Sequence, residues 1–382
     1  MLKNNNLIVD NNIQLKVFEW LRFPLIVGVV FIHCFGKPFD FSTIDFSNLT
    51  SIDCYNLFRV SISKVLTHVC VPTFYFISGY LFFKGIEKWN YSSYKEKLKR
   101  RVKTLLIPFL IWNTICILLS LQGYYRHYGI EGVLGFLSDN NYWHLYWDSH
   151  RWNLDRTNWL GGAIPASSPS LVPLWFLRDL MIVVICAPVL HYIFKTIRLW
   201  GVCMFLLCYI SGVFIPVPGF STMAFLFFGT GAYMKINNIN PLQFVQRWRL
   251  PFLAIALVTW VACTMLNGHE TEWGNHIYPI YVISGAITLI NVAIYFVNNN
   301  KLQAMSNPLL SRGSFFIYLS HTILILPTCK KVSSAIFGQT TALQMTISYM
   351  FTPVMTLIIC IMLYFFLRRF TPTLCGILTG ER

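Results

Sequence analysis

Arg22 and His33 stand eleven residues apart in the otherwise apolar stretch LRFPLIVGVVFIHCFG, residues 21–36. The arginine is a permanent cation whose planar fork binds two oxygens of a phosphate or carboxylate, and the imidazole is the side chain that exchanges a proton near neutral pH. At about 100° per residue their spacing falls within about 20° of three full turns, so both share one helix face, about 16 Å apart along the axis. Ionisable groups at membrane depth cost about 3 kcal/mol or more, and as a rule they face the bundle interior and mark a pathway or site. An anion anchor below and a base above suit a long substrate threaded between them. The alternative is that Arg22 snorkels to the headgroups while His33 hydrogen-bonds a neighbouring helix. Glu19, three residues before Arg22 on the same face, either holds the guanidinium in place or neutralises it. Counted from Lys16 at the cytoplasmic boundary, His33 stands about 25 Å up a core about 30 Å thick. The imidazole is therefore expected towards the exoplasmic side and Arg22 towards the cytoplasm.

The elements that must position these residues are membrane helices. Of the 382 residues 55% are hydrophobic and 12% charged, about half the charge of an ordinary soluble domain, and the mean hydropathy is positive. Apolar runs long enough to span, about 17 to 25 residues, fall at 15–35, 58–83, 103–121, 173–194, 199–215, 220–236, 250–266, 277–297, 313–329 and 342–367. The expected fold is all-α, a polytopic bundle of about ten transmembrane helices in one membrane domain over 1–382. The opening stretch MLKNNNLIVDNNIQLK is polar and has no small-residue cleavage site, so the first span is expected to be retained.

The net charge of +15 sits in short loops between apolar runs. There it sets topology and meets anionic lipid rather than nucleic acid. The run KGIEKWNYSSYKEKLKRRVK, residues 84–103, is the most basic connection and is expected to be cytoplasmic, whereas NGHETEWGNH, residues 267–276, has no Lys or Arg and is expected outside. Even parity then puts both termini in the cytoplasm. Lys330 and Lys331 dissent, since this scheme places them outside. The one long connection, about 122–172, is expected to be exoplasmic; its Trp143, Trp147, Trp152 and Trp159 suit either an interfacial segment or stacking on sugar rings. The eleven cysteines include no C-x-x-C pair, so neither a disulfide framework nor a metal site is expected.

The Arg, ten residues, His spacing resembles the signature of the acyltransferase 3 family, integral membrane enzymes that acylate, most often acetylate, bacterial surface glycans. Further blocks resemble the same family. They are VPTFYFISGYLFF (71–83), KLKRRVKTLLIPFLIWN (97–113), LWFLRDL (174–180), FLFFGTGAYM (225–234) and FFIYLSHTILI (315–325). Order and spacing agree over essentially the whole chain. Within the family, glycan O-acetyltransferases of the enterobacterial common antigen type share the second-span block and the short tail.

The resemblance implies a bacterial inner-membrane enzyme that takes an acetyl or other short acyl group from cytoplasmic acetyl-CoA and gives it to a hydroxyl of a glycan or lipid-linked saccharide. In that reading Arg22, Arg100, Arg101 and Lys103 meet the donor's phosphates. His33 is the general base, with a transient acyl-histidine as the rival chemistry. Donors for the developing oxyanion are sought among Ser78, Asn113, Arg178 and His321, polar residues inside the matching blocks. Each has a structural alternative: Ser78 with Gly79 as a close helix contact, Asn113 as an interhelical hydrogen bond, Arg178 with Asp179 as an ion pair. His68 and His191 carry no motif and are assigned to structure. A carrier or flippase for a polar lipid-linked substrate would use the same buried charges as a pathway, but it would consume no thioester. Acceptor, acyl group and oligomeric state are not written in these residues.

Overall fold

A backbone crossing lipid must satisfy its own N–H and C=O groups, so apolar runs of this length fold as helices. The computed structural model describes residues 11–36, 38–85, 89–139, 142–152, 166–213, 217–299, 301–302, 305 and 307–380. Its helices are α1 (Asn11–His33), α2 (Ser51–Arg59), α3 (Cys70–Phe83), α4 (Tyr91–Arg101), α5 (Ile107–Asp139), α6 (Tyr142–Trp147), α7 (Trp175–Ile185), α8 (Ala187–Thr196) and α9 (Leu199–Ile210). They continue with α10 (Thr222–Ile236), α11 (Pro241–Arg247), α12 (Arg249–Met265), α13 (Glu272–Asn298), α14 (Pro308–Ser320), α15 (Leu326–Phe337), α16 (Ala342–Phe370) and α17 (Pro372–Thr379). A two-stranded antiparallel ribbon pairs β1 (His150–Trp152) with β2 (Ala166–Ser168), Arg151 opposite Ser167.

Local sequence sets the ends of these helices. Thr50 with Asp53 and Thr341 with Gln344 form capping boxes that start α2 and α16, each satisfying two orphan donors at once. Asn90, Ser221 and Thr271 cap α4, α10 and α13. Three π turns, Val60–Val65, Val102–Leu106 and His321–Ile325, interrupt otherwise continuous helix.

Each of the ten expected segments falls on a helix or a helix pair. Among the described residues Ser51–Phe83, Tyr91–Ser138, Glu272–Asn298 and Ala342–Phe370 are long and apolar enough to cross a membrane. Two pairs bent by 58° and 72°, α7 with α8 and α11 with α12, bring the number to six. The others are shorter, as α10 with 15 residues, or broken by charge, as α1 with Lys16, Glu19 and Arg22. The architecture is an all-α multi-pass membrane bundle. Helix α5 carries the chain well into the long connection, to Asp139, through a kink at Gly129 with φ 63°. Trp143 is exposed and stacks on Trp147 with ring centres 5.3 Å apart. Trp159 lies outside the described residues.

Helix α1 is the axis of the bundle. It packs on α3, α13, α14 and α16, and Val17, Phe18, Leu21, Leu25, Ile26 and Val30 are all at most 1% exposed. A close helix approach lies beside it, between antiparallel α3 and α10. A Cβ added at Gly79 would lie 2.0 Å from the Phe228 carbonyl oxygen, and one at Gly231 2.1 Å from that of Phe76. Only glycine lets the two backbones meet this way. Replacing Gly231 with leucine is expected to force the helices apart at a cost of at least about 1–3 kcal/mol, read as a lower melting temperature of the detergent-purified protein; an unchanged melting curve would contradict this packing.

Candidate active site

The site is built around the end of α1. A helix leaves its last carbonyls without intrahelical partners, and here side chains from three other elements take those at and just beyond this end. Ser63, in the first π turn, donates to Phe31 O at 2.6 Å. Lys330 on α15 donates to His33 O at 2.6 Å, and Arg59 on α2 donates to Phe35 O at 2.8 Å. Two cations at the negative end of the helix dipole are in their favourable place. Lys330 is one of the two lysines that dissented from the loop-charge scheme; it lies on a helix, half-buried against α1, so its charge answers a backbone carbonyl, while Lys331 is exposed.

His321 opens the third π turn and is fully buried. Its ring centre lies 5.2 Å from that of His33. Arg22 donates through Nη1 to the Ser311 hydroxyl at 3.3 Å. Ser311 and His321 are both on the α14 side of the seam, ten residues apart, as Arg22 and His33 are eleven apart on α1. The two helices therefore run parallel, with Arg22 bonded to Ser311 at one end of an apolar stretch and the rings of His33 and His321 facing each other at the other. Arg22 is midway along α1: the helix reaches back to Asn11, beyond the Lys16 from which the depth of His33 was counted. Glu19 is exposed, within Coulombic reach of the guanidinium.

The basic approach lies at the other end of α1. Gln14 accepts from Tyr80 at 2.7 Å, and around that end of α3 gather Arg101, 5.8 Å from the Phe82 ring centre, Lys235, 5.8 Å from that of Tyr80, and Lys97, which donates to the Phe82 and Lys84 carbonyls. Burial, reinforced by Arg101 and Arg100, pushes the Lys97 ammonium down to about 8. Arg100 turns outward to pair with Glu96, and Lys103 is exposed. Lys97 and Lys235 escaped the sequence reading because their convergence on α3 comes from the packing of α4 and α10.

Ser78 is half-buried next to the Gly79 crossing. Asn113 and Arg178, two more of the expected oxyanion donors, lie together away from the histidines. Asn113, fully buried, accepts from the Leu171 N–H at 3.1 Å and donates to Phe109 O at 3.2 Å. Arg178 pairs with Asp179 at 2.9 Å and donates to Trp147 O at 2.8 Å and to the Ser167 hydroxyl and carbonyl at 3.0 and 3.1 Å. Both clamp the chain where the long connection returns to the bundle, and Tyr318 adds a third clamp by donating to Pro173 O. Their partners lie in this corner; the contact between His33 and His321 is a separate one. Among the described residues no group of three or more His, Cys, Asp or Glu side chains comes together to hold a metal.

A family model described as an acyltransferase domain matches residues 15–365. This chain belongs to the acyltransferase 3 family. It is 25% identical over 389 aligned positions to the succinoglycan biosynthesis protein ExoH of Rhizobium meliloti (strain 1021), covering 98% of this chain and 94% of the relative. No solved structure matches. Family membership makes the chain a membrane acyltransferase, which requires an acyl donor.

Arg178 and Asp179 form a buried ion pair, so removing one partner strands the other's charge, at about 3–5 kcal/mol. Asp179→Asn is expected to lower the melting temperature sharply while leaving donor affinity in the surviving folded fraction unchanged; a stable variant with weakened donor binding would move Arg178 into the binding site.

Proposed function

We propose that this acyltransferase moves an acetyl or other short acyl group from cytoplasmic acyl-CoA to a hydroxyl of a cell-surface or lipid-linked glycan. The observation that carries the reading is the α1–α14 seam, with Arg22 at mid-helix and two histidines about 16 Å further along. The donor's phosphates meet Arg101, Lys97 and Lys235 at the basic end, with Arg22 deeper along the path. Arg100 and Lys103, both exposed, add long-range attraction for the anion. The pantetheine arm follows α1, and the thioester arrives at His33.

His33 takes the proton of the acceptor hydroxyl as that oxygen attacks the thioester carbonyl. The ammonium of Lys330, held at the same helix end, favours the negative charge that develops there. Ser78, half-buried, remains a candidate donor to that charge, whereas Asn113 and Arg178 serve by fixing the returning connection. A saccharide acceptor is supported by the relative's part in succinoglycan biosynthesis. The reading places the enzyme in the bacterial inner membrane with both termini in the cytoplasm, where acyl-CoA is made. Because the connection 122–172 ends at Pro173, which Tyr318 of α14 holds close in sequence to His321, it is the natural determinant of acceptor choice.

The test is acetyl-CoA binding and CoA thiol release by the purified protein. Arg22→Ala is expected to weaken donor binding about tenfold or more, the worth of a charged hydrogen bond. His33→Ala is expected to bind normally and lose about 10²–10⁴-fold in CoA release. If neither change matters, the two residues are structural and the reading fails. Donor affinity is further expected to fall as the pH rises through about 8, where Lys97 gives up its proton, and Lys97→Met should remove that dependence; an affinity flat across this range would take Lys97 out of the donor path.

A further inference from the structure

His321 is held on one side and unpartnered on the other. Its Nδ1 lies 2.9 Å from both the Ile317 and Tyr318 carbonyl oxygens. Carbonyl oxygens only accept, so Nδ1 carries the proton, and the neutral ring presents Nε2 as a lone pair. Nε2 is buried and has no hydrogen-bond partner among the described residues. In this tautomer Nε2 does not donate; it receives a proton or a hydrogen bond.

The group beside it is His33. The ring planes are inclined at 53° with centres 5.2 Å apart. Two imidazoles joined nitrogen to nitrogen at about 2.9 Å have their centres about 5 Å apart, so turning the His33 ring on its side-chain bonds closes the contact without moving either helix. The backbone on both sides is fixed: Lys330 and Ser63 hold the end of α1, and His321 is pinned by its own preceding turn. π turns of this kind recur where a helix must aim a functional side chain.

We propose that His321 is a positioning residue for His33, its Nε2 accepting the His33 N–H, an inference that rests on His33 acting as the base. The bond fixes the His33 tautomer, so the other His33 nitrogen meets the acceptor hydroxyl as a lone pair. This is the part a carboxylate plays in hydrolytic triads. When His33 takes the hydroxyl proton, the new C–O bond forms at the thioester carbon and the C–S bond breaks. The departing thiolate then recovers the proton from the His33 imidazolium. His321 keeps its own proton throughout and stabilises the transient cation through a charge-assisted hydrogen bond.

Three variants test this with the full-length protein, acetyl-CoA as donor and methyl β-D-glucopyranoside as acceptor probe. His321→Gln brings an amide oxygen to the place of Nε2, His321→Asn keeps only an N–H for the carbonyls, and His321→Phe keeps neither. The expected result is a kcat about 10²–10⁴-fold down in the Asn and Phe variants, an unchanged KM for acetyl-CoA, and recovery in the Gln variant to within about tenfold of the native enzyme. Native-like turnover in His321→Asn overturns the proposal, as does a Gln variant no better than Asn, which would make His321 a base itself. If the Phe variant fails to fold, the Asn and Gln pair decides. Nitrogen NMR of isotope-labelled histidine gives a readout independent of turnover: His321 Nε2 should appear unprotonated and hydrogen-bonded, and lose that bond in His33→Ala. A protonated Nε2 rejects the dyad. A native enzyme that shows the bond but releases no CoA instead rejects the acyltransferase chemistry assigned to His33.

Discussion

Inside lipid a helix end cannot leave its carbonyls to water, and the end of α1 is where this constraint shapes the molecule. Ser63, Lys330 and Arg59 reach it from a π turn, from α15 and from α2 to take the carbonyls of Phe31, His33 and Phe35. The Lys330 bond also fixes the backbone beneath His33. The capping of one helix thereby also holds the place where His33, the last residue of α1, meets His321, brought against it by α14.

The same economy governs the corner where the long connection re-enters the bundle. Asn113, Arg178 and Tyr318 come from α5, α7 and α14, and all three bind main-chain groups between residues 167 and 173. Polar side chains inside spans look catalytic when seen one at a time, because burying them is costly. Here the cost is offset by backbone groups that would otherwise be unsatisfied. Helix α14 takes part in both places, so the connection and the histidine pair are mechanically joined through one element.

The two ends of α1 divide the electrostatics. At one end Lys97, Arg101 and Lys235 converge on the C-terminal turn of α3, where the helix dipole favours cations and aromatic faces receive them. At the other end the two histidines lie together, with Lys330 and Ser63 bonded to the backbone beside them. Between them runs the apolar stretch of α1, and the glycine crossing of α3 and α10 lies next to it.

The sequence by itself determined what periodicity and composition can carry: helices in every expected apolar run, a membrane as the solvent, and Arg22 and His33 on one face of the first helix. Blocks such as FFIYLSHTILI were enough for the family, because local side-chain order is itself sequence. Tertiary structure alone decided which polar residues meet. His321 lies 288 residues from His33, and nothing local states that α14 runs parallel to α1 in matching register. It also showed Asn113 and Arg178 bound to the main chain of the returning connection, and Lys330 to the His33 carbonyl. The reason is physical: a hydrogen-bonding group's role is fixed by the partner that packing brings to it, and packing depends on all the helices at once.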